Sequence, residues 1–164
     1  MRLLFVCLGN ICRSPTGEAV MRAYAERGGL DGVEIDSAGT AAWHVGKAPD
    51  SRSIAAAAER GYSMTSRARQ VQSSDFDDFD LLLAADGQNL ADLKAIAPDH
   101  ERAQKAVLLR SFDPVSAHTG DLEVPDPYYG GADGFDHVLD VIEAACAGLV
   151  THVRQNGGTS NTGR

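Results

Sequence analysis

The first part of the chain shows a strand pattern followed by a helix pattern. Residues 3–6 form an uninterrupted apolar run, which predicts a strand buried on both faces, and Gly9-Asn10 marks a turn after it. Ser14 followed by Pro15 is a favoured N-cap and first helical position, so a helix is expected from there to about Arg27. The chain therefore opens with a strand, a tight turn and a helix.

The rest of the chain continues this alternation. Short apolar runs predict three more strands, at residues 33–35, 80–85 and 107–109. Three more helices are expected, over residues 50–60 with Asp50 as N-cap, 88–96, and 135–153, where apolar residues recur at steps of three and four. Alternating strands and helices predict an α/β domain whose four-stranded parallel sheet is flanked by helices on both faces.

The polar segments complete this picture. Residues 40–49 and 113–134 are predicted as loops, and loops as long as the second are uncommon unless they are functional. One domain is expected over residues 1–154, with a flexible tail at 155–164. Ligands of such parallel sheets lie beyond the carboxyl ends of the strands, and the first strand ends at Cys7.

Charge and cysteine content narrow the class of protein. The 164 residues include 15 basic and 23 acidic side chains, a net charge of −8, which argues against nucleic-acid binding and against a basic membrane anchor. Three cysteines are an odd number and favour a reducing compartment. The apolar run at residues 3–8 is too short for the core of a signal peptide. A cytoplasmic monomer is expected, with export without a signal peptide left open.

The turn after the first strand carries the candidate chemistry. Its residues are Cys7, Leu8, Gly9, Asn10, Ile11, Cys12, Arg13 and Ser14. A helix N-terminus and a glycine turn present free N–H groups, and the guanidinium fork of Arg13 matches two phosphate oxygens. In this field Cys7 is expected to be a thiolate near neutral pH, with Ser14 as hydrogen-bond donor to it. A phosphate-binding loop with a cysteine nucleophile is predicted, rather than an ordinary strand–helix turn.

A proton donor for the leaving group is expected on the second long loop. Asp126 lies there between two prolines, which hold the backbone stiff around a single carboxyl group. Three aromatic residues in predicted loops are candidates for the walls of a deep slot for a phenyl ring: Trp43, Tyr128 and Tyr129. Such a slot would favour phosphotyrosine over the shorter phosphoserine.

These segments resemble the low-molecular-weight protein tyrosine phosphatases. The resemblance covers about residues 2–153 and rests on four segments in matching order, residues 6–15, 36–40, 68–70 and 126–130. It implies a two-step phosphatase mechanism with no metal or other cofactor. By position, Cys7 is the nucleophile, Arg13 binds the phosphate and Asp126 is the general acid and base.

The resemblance also implies supporting roles. Asn10 would take a left-handed conformation and be supported by Ser37, while the position of a second supporting residue, a histidine in the family, is Ser66 here. Cys12 would trap an oxidised Cys7 as a disulfide, although a plain buried thiol explains it equally well. Cys146 lies on the apolar stripe of the last helix and is expected in the core.

Several alternatives remain beside phosphotyrosine hydrolysis. A related phosphatase for phosphoarginine would carry a threonine at the position of Ile11, and a phosphate-binding module without catalysis would lack the nucleophile or the acid. Thiol-dependent arsenate reduction needs cysteines that residues 83–89 lack, and a thioredoxin-like enzyme needs a tighter cysteine spacing. The expected partners are phosphotyrosine-containing proteins such as a tyrosine kinase, with little selectivity for the flanking sequence. Tyr128 and Tyr129 are themselves candidate phosphorylation sites.

Overall fold

The computed structural model describes residues 1–128 and 130–157 and contains one four-stranded parallel sheet. The strands are β1 (Arg2–Cys7), β2 (Glu34–Gly39), β3 (Leu81–Ala84) and β4 (Ala106–Leu108). They lie in the order β2-β1-β3-β4, so β1 pairs with a parallel neighbour on each side. The carboxyl end of β1 therefore opens at the middle of the sheet edge, as expected for a ligand site in such folds.

Helices cover both faces of the sheet. They are α1 (Arg13–Arg27), α2 (Ser51–Glu59), α3 (Asp75–Asp78), α4 (Gly87–Ile96), α5 (His100–Ala103), α6 (Pro114–Thr119) and α7 (Ala132–Gly157), with a 3-10 helix at Leu109–Phe112. Leu3 and Phe5 of β1 pack into a core that includes α1 and α7, and Leu4 and Val6 pack into a second core on the opposite face. This double burial explains the uninterrupted apolar run of β1, because alternate side chains both need a core.

Two expected boundaries are wrong near capping residues. The first helix has Cys12 rather than Ser14 as its N-cap, because the Ser14 hydroxyl is engaged by side chains of the preceding loop. Residues 113–134 are not one continuous loop, since α6 starts at Pro114 with the Asp113 carboxylate accepting from the amide of Val115. Asp113 followed by Pro114 is a true N-cap and first helical position, whereas the similar pair Ser14-Pro15 lies inside α1.

The last helix is longer than its apolar pattern indicates. α7 begins at Ala132, before the first apolar residue of its stripe, and continues to Gly157, so residues 155–157 are helical rather than part of a tail. Residues 158–164 lie outside the described part of the chain. Among the described helices none is both long and apolar enough to cross a membrane.

Candidate active site

Cys7 lies buried at the carboxyl end of β1, directly below the loop of residues 7–14, here called the phosphate loop. Its Sγ lies 3.0 Å from Ser14 Oγ, and that hydroxyl accepts a 2.8 Å hydrogen bond from Asn10 Nδ2. Because the amide of Asn10 occupies an acceptor position of Ser14, the hydroxyl proton is free to point at sulfur. The arrangement stabilises negative charge on Cys7.

The backbone of the phosphate loop turns its carbonyl groups outward. Four of its carbonyl oxygens accept hydrogen bonds from amides outside the loop or further along α1: those of Cys7, Leu8, Ile11 and Cys12. The amides of Asn10, Ile11 and Cys12 have no acceptor among the described residues. A row of free N–H groups at the start of a helix is suited to a tetrahedral oxyanion.

Asn10 fixes the shape of this loop. Its φ of 56° is the only positive φ of a non-glycine residue in the described part of the chain. Its Oδ1 accepts a 3.0 Å hydrogen bond from the backbone amide of Arg69. Asparagine tolerates the left-handed region better than most residues, and these bonds hold it there.

The expectation that Ser37 supports Asn10 is wrong. The Ser37 hydroxyl instead donates to Oε1 of Glu18 in α1 at 2.6 Å. The Ser66 side chain makes no hydrogen bond within residues 1–128 and 130–157. The amide of Arg69 and the hydroxyl of Ser14 support Asn10 instead, so the loop is held without the family histidine.

Arg13 is buried beside Cys7, with only 4% of the residue exposed. Its Nη1 donates to Asp86 Oδ2 at 2.7 Å and to the carbonyl of Val124 at 3.0 Å, which orient the guanidinium. Burial alone would lower the pKa of Arg13, but the negative charges of Cys7 and Asp86 raise it above its ordinary value. The guanidinium therefore keeps its charge although it is buried.

Asp126 comes to the same site from the opposite side. Its carboxylate is 43% exposed, and its Oδ2 lies 3.8 Å from Arg13 Nη2. Its Oδ1 accepts a 3.0 Å hydrogen bond from the amide of Tyr128. The segment 124–128, here called the acid loop, thus carries a carboxyl group to the mouth of the pocket.

One pocket of about 280 Å³ joins these groups. Its lining residues are Cys7, Leu8, Gly9, Ile11, Cys12, Arg13, Trp43, His44, Asp126 and Tyr128. Trp43 is 71% exposed and stands at the rim. The predicted catalytic and aromatic residues converge here, while Asn10 and Ser14 support the pocket from behind and Tyr129 lies outside the described residues.

Sequence reasoning missed two residues of the site. His44 lines the pocket, and a Cβ on Gly9 would come within 2.9 Å of its ring, so a larger residue there would require the imidazole to move. Its adjacency to Trp43 was the available signal. Asp86, the N-cap of α4, holds Arg13 as well as the amide of Asn89. An acidic residue directly after a buried strand was the signal for Asp86.

Burial determines the protonation state of the other two cysteines. Burial raises the pKa of the Cys12 thiol to about 12, and the carboxylate of Asp50 adds to the effect although a hydrogen bond with Ser53 opposes it. Cys146 is fully buried in the core between α7 and the sheet. Both are therefore neutral thiols at neutral pH.

The model of the family "Low molecular weight phosphotyrosine protein phosphatase" matches residues 2–159. The chain belongs to this family. A low molecular weight protein-tyrosine-phosphatase of Streptomyces coelicolor is 52% identical over 155 residues, covering 94% of each chain. A putative family member of Synechocystis is 47% identical over 152 residues, covering 92% of this chain and 95% of that one.

Solved structures agree with this family assignment. A protein tyrosine phosphatase of Entamoeba histolytica with Hepes in its active site has a TM-score of 0.90 and 42% identity, covering 96% of this chain and 99% of that one. The Drosophila arginine phosphatase has a TM-score of 0.87 and 31% identity, covering 95% and 99%. The sequence-based predictions of the family, of the α/β fold and of a phosphatase of this family are confirmed.

Proposed function

We propose that this protein hydrolyses phosphotyrosine in proteins through a cysteinyl-phosphate intermediate. The observation that carries the proposal is the convergence of Cys7, Arg13 and Asp126 on one pocket, with Asp126 Oδ2 3.8 Å from Arg13 Nη2. A thiolate, an oxyanion site and a carboxylic acid are the groups that a two-step displacement at phosphorus requires.

In the first step, Cys7 Sγ attacks phosphorus and the bond to the tyrosyl oxygen breaks. The departing oxygen takes the proton of the Asp126 carboxyl group, so that a neutral phenol leaves. The free amides of the phosphate loop and the fork of Arg13 bind the equatorial oxygens, whose charge they stabilise most in the transition state.

In the second step, water attacks the phosphocysteine. The Asp126 carboxylate accepts the proton of that water, the S–P bond breaks, and inorganic phosphate and the Cys7 thiolate are released. The hydrogen bond between Ser14 and Cys7 stabilises the departing sulfur. This sequence requires no metal ion, and we propose metal-independent turnover by a cytoplasmic monomer.

The rim supports a preference for tyrosine. Trp43 and Tyr128 flank the pocket, and aromatic side chains there can contact both faces of a phenyl ring. We propose that the shorter phosphoserine side chain is for this reason a poorer substrate than phosphotyrosine. Phosphoarginine is the weaker alternative, because the branched Ile11 side chain lines the pocket at the position where the resemblance implies a threonine in a phosphatase for phosphoarginine.

The test is phosphate release from a phosphotyrosine peptide in the presence of EDTA. Wild type should turn over, whereas Cys7→Ser should lose at least about 10⁴-fold in kcat. Cys146→Ala is the matched control, since it removes a thiol from the core rather than from the pocket and should retain kcat. A phosphocysteine trapped by rapid acid quench should appear in wild type only.

Three outcomes would contradict the proposal. Full activity of Cys7→Ser would exclude the cysteine nucleophile, and loss of activity on EDTA treatment that added metal restores would exclude a metal-independent reaction. Faster turnover of phosphoarginine than of phosphotyrosine in matched peptides would transfer the assignment to the alternative substrate.

A further inference from the structure

Arg52, in the first turn of α2, is connected to the phosphate loop although it does not line the pocket. Its Nε donates to Asp50 Oδ1 at 3.1 Å and its Nη2 to Asp50 Oδ2 at 3.0 Å. The backbone amide of Asp50 in turn donates to the carbonyl of Ile11 at 2.8 Å. Because a two-point contact between guanidinium and carboxylate fixes both groups, Arg52 has a defined position relative to the phosphate loop.

The same guanidinium reaches the acid loop. Arg52 Nη2 also donates to the carbonyl of Tyr128 at 3.1 Å. The guanidinium carbon lies 5.5 Å from the ring centre of Tyr128 and 4.8 Å from that of Phe135 at the start of α7. Both contacts lie within the range of a cation–π interaction, so Arg52 holds the C-terminal end of the acid loop against α2 and α7.

Tyr128, which Arg52 contacts, also forms a hydrogen bond with the carboxyl group of Asp126. The amide of Tyr128 is the donor that holds Asp126 Oδ1, at 3.0 Å. Two other hydrogen bonds fix the N-terminal end of the acid loop. Arg13 donates to the carbonyl of Val124, and the amide of Val124 donates to the carbonyl of Ala85 at 2.7 Å. Arg52 therefore acts on the half of the loop that orients the acid.

We propose that Arg52 is a positioning residue that sets the Asp126 carboxyl group over the leaving oxygen. The inference rests on the proposed function, since it assigns a role in the same reaction. It is specific in its consequence: loss of Arg52 should impair proton donation while leaving phosphate binding and the nucleophile intact. General acid catalysis is worth about 10²- to 10⁴-fold, and part of that depends on geometry.

The experiment compares two leaving groups. Phenyl phosphate releases a strongly basic oxygen that needs a proton, whereas 2,4-dinitrophenyl phosphate releases a weakly basic oxygen that does not. The kcat/KM reports formation of the phosphocysteine, so it is the constant to compare. Arg52→Met should lose about 10-fold or more in kcat/KM for phenyl phosphate and less than about 2-fold for dinitrophenyl phosphate.

Matched variants separate positioning from general damage. Arg60→Gln removes the arginine at the other end of α2, which pairs with Asp140 of α7 at 2.9 Å, and should leave both substrates unchanged. Arg52→Lys keeps one donor for the Tyr128 carbonyl but loses the fork on Asp50, so its loss for phenyl phosphate should be intermediate. Inhibition by inorganic phosphate should stay within about 2-fold of wild type in every variant, because Arg52 is outside the phosphate loop.

The outcomes are distinguishable from a failure of the proposed function. If Asp126→Asn loses the same factor in kcat/KM for phenyl phosphate and for dinitrophenyl phosphate, the acid assignment itself is wrong. If wild type behaves as proposed but Arg52→Met loses equally for both substrates, or loses nothing, the positioning role is overturned. Arg52 is 46% exposed, so the variant is expected to fold, and Arg52→Lys provides the same comparison if it does not.

Discussion

The phosphate loop and the acid loop meet at one pocket but are built in opposite ways. The phosphate loop is contiguous in sequence, its carbonyl groups are hydrogen-bonded outward, and Asn10, Arg13 and Ser14 are buried. The acid loop carries a carboxyl group that is 43% exposed, and arginines from other parts of the chain hold its ends. A preformed oxyanion site thus stands beside an acid whose position depends on long-range contacts.

The difference suits the two tasks. Binding a phosphate with fixed N–H groups requires that no reorganisation occur during the reaction, and burial provides that rigidity. Donating and then accepting a proton requires access to the leaving group and to water, and partial exposure provides that access. Substitutions in the phosphate loop should therefore affect all substrates, whereas those in the acid loop should discriminate among them.

The largest expected effect is that of Arg13→Lys in the phosphate loop. A single ammonium cannot hold two phosphate oxygens as well as Asp86 and the carbonyl of Val124, so kcat/KM should fall about 10³-fold for every leaving group. Steady-state kinetics with phenyl and dinitrophenyl phosphate measure it. Arg69→Lys is the matched control, because only its backbone amide supports Asn10, and it should stay within a few-fold of wild type. Equal losses in the two variants would contradict the assignment.

Asp126→Asn tests the acid loop in the same assay. We expect a loss of about 10²- to 10³-fold in kcat/KM for phenyl phosphate and a much smaller loss for dinitrophenyl phosphate. Competitive inhibition by inorganic phosphate should not weaken, since removal of this carboxylate takes a negative charge from the pocket. A loss independent of the leaving group would erase the distinction between the two loops.

A pair of glycine substitutions tests how tightly each loop is packed. A Cβ on Gly39 would lie 2.7 Å from the carbonyl oxygen of Leu8, which is backbone and cannot move aside, so Gly39→Ala should lower the free energy of unfolding by about 2 kcal/mol. A Cβ on Gly130, next to the acid loop, would meet its nearest atom at 3.6 Å, so Gly130→Ala should change the free energy of unfolding by less than about 0.5 kcal/mol. Denaturant unfolding checks both values, and a similar cost for the two would show that the loops are equally packed.

The smallest expected effect concerns Cys12 and pH. Its pKa is raised to about 12 in the folded protein, while an unfolded cysteine ionises near about 8.5. The folded state therefore holds this proton more tightly, and the stability that Cys12 contributes is full below about pH 8.5 and declines as pH rises towards about 12. The stability difference between wild type and Cys12→Ser should change by about 1 kcal/mol from pH 7 to 9.5, measured by urea unfolding at each pH. A constant difference would mean that solvent reaches this thiol.

Much of the site was predictable because it is local. The phosphate loop occupies eight consecutive residues between a doubly buried strand and a helix, so residue type and spacing alone indicate its chemistry. Asp126 was predictable because prolines on both sides identify a stiff segment. The α6 helix was not predicted, because its six residues carry no apolar stripe and only the Asp113-Pro114 pair indicates a helix start.

The sequence by itself determined the parallel α/β fold, the family and most of the groups that line the pocket, although not His44. Hydrophobic period and residue spacing are short-range properties, and these features follow from them. Only the tertiary structure decided that Asp86 and Val124 orient Arg13, that the amide of Arg69 rather than Ser37 supports Asn10, and that Arg52 joins the two loops. The partners of Asn10 and Arg13 in these contacts lie 59 to 111 positions away along the chain, and Tyr128 lies 76 positions from Arg52. No local pattern encodes such pairs, because they form only when parallel strands and their helices bring distant segments to one edge of the sheet.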